Sequence, residues 1–146
     1  MPLYMVTRTS SALNTSNDSI TLVASGTKPL RVYLIDGKGM GTTSAANEVA
    51  VARSTGGTTG GGGITPAPIN SGSGAASFNA YTTWSAQPTL GAVVWRAGIN
   101  ANGGIDKFVA IPGAEIQVPV SGQISIRSIS GTSNVTWNVL VEEVDG

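Results

Sequence analysis

The chain of 146 residues contains no cysteine and no histidine. Without cysteine no disulfide can form, and a zinc site would lack both its thiolate and its imidazole ligands. Without histidine a Ser-His-Asp triad is excluded, because no side chain can act as its base. These absences remove most of the groups that enzymes use. The sequence therefore predicts a protein that is not an enzyme and that has no catalytic residue, no metal site and no cofactor.

Charged residues are also scarce, at 11% of the chain, with eight basic and eight acidic side chains. An average soluble protein has about 25%. A net charge of zero offers no basic surface to nucleic acid phosphates or to anionic lipid, so we expect neither nucleic acid nor membrane as a partner. Copies of a neutral chain repel one another little, which favours self-association.

Long apolar runs are missing as well, since the longest are far shorter than the roughly 20 residues that cross a bilayer. The first residues, from Met1 to Arg8, lack the basic start and apolar stretch of a secretory signal. We therefore expect the protein to act where it is made or to leave by cell lysis.

What the sequence does contain is an alternation of apolar and polar residues with period two, which is typical of half-buried strands. Segments of this kind start near Ser19, Pro29, Asn47, Val93, Lys107, Glu115, Gln123 and Asn134. In the second of them, Leu30, Val32 and Leu34 are predicted to share one face. No window of a dozen residues keeps the spacing of an amphipathic helix. The pattern predicts an all-β chain.

Turn dipeptides such as Asp36-Gly37 and Ser121-Gly122 separate these segments. About eight short antiparallel strands predict one β-sandwich domain over residues 1–146. A jelly roll is the specific prediction, because it fits eight strands into this length. An immunoglobulin-like sandwich is the alternative, although its Cys…Trp…Cys signature is missing.

The segment 55–77 breaks the alternation and is rich in glycine, with four in a row from Gly60 to Gly63. A loop of this length inside a compact domain is usually functional or disordered. One interpretation is an arm that lies on a neighbouring subunit through apolar anchors, and the other is an exposed flexible loop between two strands. The anchors would be Ile64, Pro66, Pro68 and Ile69.

Three features of the sequence suggest a binding or catalytic site, but each lacks the residues or the arrangement that such a site needs. The run 37–43 places Lys38 among glycines, but a P-loop needs Gly-Lys-Ser/Thr at the start of a helix. Glu142 and Glu143 are adjacent in a predicted strand, so their side chains point to opposite faces, and we expect them to face solvent or an interface. A structural cation held by backbone carbonyls and Asp stays an alternative, although no calcium-loop spacing is present.

Aromatic side chains suggest a second kind of function. Trp95 and Trp137 lie among valines in predicted strands and are assigned to the core, and the core is also the favoured place for Trp84. Tyr81, Trp84 and Tyr33 are candidates for stacking on sugar rings, which would make the chain a lectin-like binding module.

From Thr82 onward the chain carries an ordered set of short motifs. These are Thr82–Pro88 (Thr-Thr-Trp-Ser-Ala-Gln-Pro), Val93–Arg96 (Val-Val-Trp-Arg), Ile111–Gly113, Ile116–Pro119 and a valine-rich strand that ends in Val141-Glu142-Glu143. In this order of motifs the chain resembles the small jelly-roll head decoration, or cement, proteins of tailed phages.

The resemblance implies a structural virion protein that binds neighbouring major capsid subunits and stabilises the capsid. It implies a homotrimer on the capsid exterior that is made in the host cytoplasm. Three linked contacts would raise avidity, and extended arms can add a strand to a partner's sheet edge. Residues 2–8 and 55–77 are the predicted arms. The predicted contact residues are Pro2, Leu3, Tyr4, Ile64, Pro66, Pro68, Ile69, Tyr81 and Leu140.

Overall fold

The structure is a computed structural model that describes residues 2–59 and 62–145. Over these ranges the chain forms fourteen strands and no helix, and hence no helix that could span a membrane. The strands are β1 (Leu3–Ala12), β2 (Asp18–Val23), β3 (Leu30–Met40), β4 (Ala46–Thr55), β5 (Thr58–Thr59), β6 (Gly63–Ile64), β7 (Ala67–Pro68), β8 (Asn79–Tyr81), β9 (Trp84–Ala86), β10 (Thr89–Asn100), β11 (Asn102–Val109), β12 (Ile116–Val118), β13 (Gln123–Ser130) and β14 (Asn134–Glu143).

The strands form two large sheets and one small one. The first sheet has the order β11-β3-β14-β1-β7, with the short β12 also paired to β3. The second has the order β10-β4-β13-β2-β8-β6, and β5 pairs with β9. The predicted all-β class and the antiparallel sandwich are confirmed.

The eight long strands pair as a single hairpin that has been rolled up. β1 pairs with β14, β2 with β13, β3 with β11 and β4 with β10, and every pair is antiparallel. The four pairs fall alternately in the first and the second sheet: β1 with β14 and β3 with β11 in the first, β2 with β13 and β4 with β10 in the second. This arrangement is the jelly roll that the strand count predicted.

The core lies between the two large sheets and is built from the inward-facing side chains of each strand. Trp137 is its largest member and is fully buried, as predicted from its place among valines. Trp95 is half-buried instead, and its ring lies 6.1 Å from that of Phe108. Because Trp95 belongs to β10 and Phe108 to β11, this aromatic pair closes the gap between the two sheets along one side of the sandwich.

One predicted core position is wrong. Leu34 was expected to share the inner face with Leu30 and Val32, but the pairing of β3 with β14 shifts register between Leu140 and Val141. Tyr33 is the extra residue at this shift. Because of it Leu34 faces outward, and Ile35 takes the place of Leu34 in the core.

Residues 56–88 form an insertion between β4 and β10 that packs against the chain's own sandwich. β7 extends the first sheet by pairing with β1, and β8 with β6 extends the second sheet from β2. We call this side of the sandwich the closed edge. The segment 55–77 is therefore neither a free arm nor a structureless loop; Gly60 and Gly61 of its glycine run lie outside the described residues.

The prediction of an N-terminal arm over residues 2–8 is also wrong. Residues 3–8 belong to β1, which is hydrogen-bonded to β14 on one side and, at Tyr4 and Met5, to β7 on the other. The alternation of Tyr4 and Val6, both buried, gives this segment the pattern of a strand with one face in the core.

The insertion also covers part of the outer face of the second sheet. That face carries small buried residues, among them Ala52, Thr21 and Ser125, which leave room for a third layer made by β5 and β9. The indole Nε1 of Trp84 in β9 donates a hydrogen bond to Thr21 Oγ1 at 3.1 Å. Polar contacts thus fix the insertion to the sandwich.

Candidate functional site

Most of the predicted contact residues lie at the closed edge. Pro2, Leu3 and Ile69 line one cleft there. The backbone N–H of Ile69 donates to the carbonyl of Leu3 at 2.9 Å, which holds the insertion against β1. Pro68 pairs with Tyr4 in the β7–β1 ladder, and the Tyr4 ring is 1% exposed. Tyr4 is therefore a core residue and is not exposed to a partner.

Three further predicted residues line a second cleft at the same edge. Ile64, Pro66 and Tyr81 are its apolar walls, and Ile64 packs against the core. Tyr81 lies edge-on to Trp84, with ring centroids 5.3 Å apart. Much of the apolar surface that sequence reasoning assigned to a partner is thus used to hold the insertion to its own domain.

A buried carboxylate that sequence reasoning placed at the surface completes this attachment. Glu143 is 1% exposed and accepts hydrogen bonds from the backbone N–H and the hydroxyl of Ser77, the latter at 2.7 Å. Nearby, the Tyr4 hydroxyl donates to the carbonyl of Gly74 at 3.0 Å. Burial, followed by the neighbouring Glu143 charge, raises the pKa of Tyr4. The expectation that Glu143 faces solvent or an interface is wrong, because the side chain is buried against Ser77. The sequence pattern did not reveal this contact, since Ser77 lies 66 residues away in sequence.

The outer face of the first sheet is different, because it carries an apolar row in register across the long strands. Leu140 of β14 pairs with Met5 of β1 on one side and with Leu34 of β3 on the other, and Leu34 pairs with Val109 of β11. The first three are half-buried, and Val109 is 60% exposed. We call Met5, Leu140, Leu34 and Val109 the apolar stripe.

Polar residues border the apolar stripe on both sides. The first border lies two residues from the apolar stripe along each strand. It contains Asn138 of β14, Asp36 of β3 and Lys107 of β11, which are paired side by side. In the other direction lie Glu142 and Arg31, whose nearest charged atoms are 3.8 Å apart. An apolar centre with a polar border is the usual anatomy of a protein–protein interface. Leu3 and Leu140, both predicted contact residues, belong to this face.

Tyr33 lies at the register shift beside the apolar stripe and closes a small cleft with Leu3, Leu140 and Glu142. Its hydroxyl donates to Glu142 Oε2 at 2.6 Å. This hydrogen bond, and after it burial, raises the pKa of Tyr33 above its usual value of 10.0. The phenol is therefore a fixed part of the polar border.

The Tyr33–Glu142 contact gives a pH prediction. Because the pKa of Tyr33 is higher in the folded chain, its contribution to stability is present below pH 10 and is lost as pH rises through the folded value. Glu142→Gln should move the tyrosinate absorbance transition of Tyr33 to lower pH. Tyr33→Phe, the control, should remove one transition. An unchanged titration in Glu142→Gln would contradict the assigned contact.

The side of the sandwich opposite the closed edge is formed by β10 and β11, and we call it the open edge. Each strand ends its sheet there, with no strand among the described residues beyond it. Val93 and Val94 are 41% and 39% exposed, although successive residues of a regular strand face opposite sides. Register shifts on both sides of Val93 expose both side chains.

The open edge has two parts. From Arg96 onward its polar groups have partners within the chain, whereas residues 89–95, which we call the bare strand, have no neighbouring strand among the described residues on their outer side. Arg96 pairs with Glu48 at 3.2 Å, and Asp106 accepts a hydrogen bond from the backbone of Gly98. Residues 89–95 contain no charge and no proline, two of the devices by which natural edge strands avoid unwanted partners, so the register shifts around Val93 are the protection that this strand has. Sequence reasoning identified this strand but not its position, although the uncharged run was visible.

The described residues contain no group of three or more acidic side chains that could hold a metal ion. Comparisons with family models, with curated proteins and with solved structures give no match. The two surfaces with exposed apolar side chains described above are the open edge and the apolar stripe.

Proposed function

We propose that this chain is a structural virion protein that decorates and stabilises a phage capsid by binding neighbouring major capsid subunits on the capsid exterior. The observation that carries the proposal is the open edge. One side of the jelly roll is closed by the chain's own insertion, while the other presents a bare, uncharged edge strand with exposed valines. Such an edge is a binding site for an extended segment of another protein.

The resemblance adds the identity of the partner, and the fold supports it. A decoration protein acts by complementary surface, and this chain is a jelly roll with balanced charge. In this proposal the capsid contact moves from the predicted arms to the open edge, because the insertion and β1 are held within the domain. The homotrimer stays part of the proposal, since several linked contacts bind a lattice more tightly than one.

The proposal predicts that a charge at the bare strand weakens capsid binding. Val94→Lys should weaken co-sedimentation with capsids of the encoding phage at least about tenfold, because an unpaired charge would be buried in the contact. Ile129→Lys is the matched control, since Ile129 is 43% exposed on β13, away from the open edge, and should bind like the parent chain. Equal binding of both variants, or none by the parent chain, would refute the proposal.

A lectin-like module remains the second candidate, favoured by one observation. The ring of Tyr81 lines a cleft at the closed edge together with Asn79 and Thr65, which offers an aromatic wall and polar groups. Trp84 is less suited, because its Nε1 is bonded to Thr21 and its ring is covered by Gly57. Glycan binding that is lost in Tyr81→Ala would support this candidate, and no binding to host polysaccharides would remove it.

A further inference from the structure

We propose that the apolar stripe is a twofold contact with a second copy of this chain. This inference deepens the proposed function by naming one of the partners, and it rests on that function for its biological role. Its physical basis is separate, because the stripe lies on the outer face of the first sheet and the capsid contact was assigned to the open edge.

The symmetry follows from the layout of the face. If two copies meet through this face, with a twofold axis that runs along the stripe between them, each stripe residue meets its own counterpart. Leu140 lies opposite Leu140 of the other copy, and Leu34 opposite Leu34. The same rotation exchanges the two polar borders, so that each border faces the other one.

The exchanged borders are complementary in charge. Arg31 and Asp36 lie on β3 on opposite sides of Leu34, so the rotation places Arg31 of one copy over Asp36 of the other, twice per pair. In the single chain Asp36 forms no salt bridge among the described residues. Arg31 forms a long ion pair with Glu142, at 3.8 Å, and its side chain is 38% exposed. A second copy would supply the missing partner.

The remaining border residues raise no conflict. Glu142 of one copy lies over Asn138 of the other. Lys107 of one copy lies over Gln117 of the other, because Gln117 belongs to β12 and pairs with Arg31 of β3. No like charges are placed opposite each other within these two rows. A partner with a strongly acidic or basic face would leave one of the borders opposed by like charge, so the pattern favours a second copy of this chain.

The size of the face is sufficient for a stable pair. Its four long strands have 10, 10, 11 and 8 residues. At about 4.8 Å between strands and about 3.3 Å per residue, they span roughly 620 Å². Two copies would bury roughly 1,240 Å² in total, which is at the lower end of the usual range for specific interfaces.

Cross-linking tests the register. Packed sheets lie about 10 Å apart, too far for a direct disulfide, whereas a short bismaleimide can join two thiols across that gap. The chain has no cysteine, so Leu140→Cys introduces a single thiol. We expect most of this variant to become a covalent dimer at micromolar concentration. Ile129→Cys, the control, should give less than a tenth of that yield. Equal yields would overturn the twofold register.

A charge exchange tests the pairing of Arg31 with Asp36. Asp36→Arg and Arg31→Asp should each self-associate roughly tenfold more weakly than the parent chain, because each brings like charges together twice. An equimolar mixture of the two variants should form the mixed pair with affinity close to that of the parent chain. Both variants keep the core intact, so circular dichroism and Tm should stay near the parent values. No recovery in the mixture would contradict the proposal.

Light scattering separates this inference from the proposed function. A twofold contact requires an even number of copies, a dimer alone or a hexamer if the trimer also forms through other surfaces. A monomer or trimer that still binds capsids overturns the inference and leaves the proposed function standing. If Leu140→Asp then also loses capsid binding, the capsid itself occupies the stripe. A dimer that ignores capsids supports the inference and removes the proposed function.

Discussion

Replacing Asp18 with alanine should lower the free energy of unfolding by about 3–5 kcal/mol, because it leaves a largely buried arginine without its partner. The side chain of Asp18 is 0% exposed and lies 2.7 Å from Arg127, which is 14% exposed. Asp18 also accepts a hydrogen bond from Thr21, the residue that binds Trp84 of the insertion. Thermal unfolding should show a Tm lower by roughly 10 °C.

The same substitution at an exposed ion pair is the control. Asp145 lies 3.5 Å from Lys28 with its side chain 65% exposed, so Asp145→Ala should change the stability by no more than about 0.5 kcal/mol. A loss of similar size in both variants would show that the Asp18 network does not hold the insertion in place.

The second large effect is expected at Gly39, where β3 passes under the corner between β10 and β11. A Cβ there would overlap the carbonyl oxygen of Asn100 and lie 2.8 Å from that of Ala101, so backbone would have to move. Gly39→Ala should cost about 3 kcal/mol or more in denaturant unfolding. At Gly98 of β10 a Cβ would meet nothing within 4 Å, and Gly98→Ala should be nearly neutral. Equal stability of both variants would show that the backbone at Asn100 and Ala101 does not pack against Gly39.

The long strands were predictable because each carries its own alternation. β14 shows this most clearly, since Val135, Trp137, Val139 and Val141 are all buried, as the period-two pattern requires. Eight such strands in one chain of this length restrict the choice to a few sandwiches, and a jelly roll was the specific prediction. Local pattern and overall fold agree in these segments.

The insertion was not predictable in the same way. Its strands β5, β6 and β7 have two residues each, too short for any period to be visible. They are fixed by contacts that are remote in sequence, such as Glu143 with Ser77 and Trp84 with Thr21. Apolar residues of a glycine-rich segment therefore looked available to a partner when they were already bound within the chain.

The candidate surfaces show the same limit. Leu140 was predicted as a contact residue because it lies between Val139 and Val141, where the sequence is apolar on both faces of the strand. Met5, Leu34 and Val109 were missed, because their alignment depends on which strands become neighbours and on the register shift near Leu34. The bare strand 89–95 was visible as an uncharged run, but only the topology places it at the end of a sheet.

Hydrogen–deuterium exchange of the backbone amides in residues 89–95, with and without saturating capsids, tests whether the open edge binds the capsid. These amides should exchange more slowly in the bound protein, because the capsid subunit covers the open edge. Amides of the exposed turn at Asn70 and Ser73, on the closed edge, should exchange at the same rate in both states. Unchanged exchange at 89–95 in capsid-bound protein would show that the capsid contact lies elsewhere.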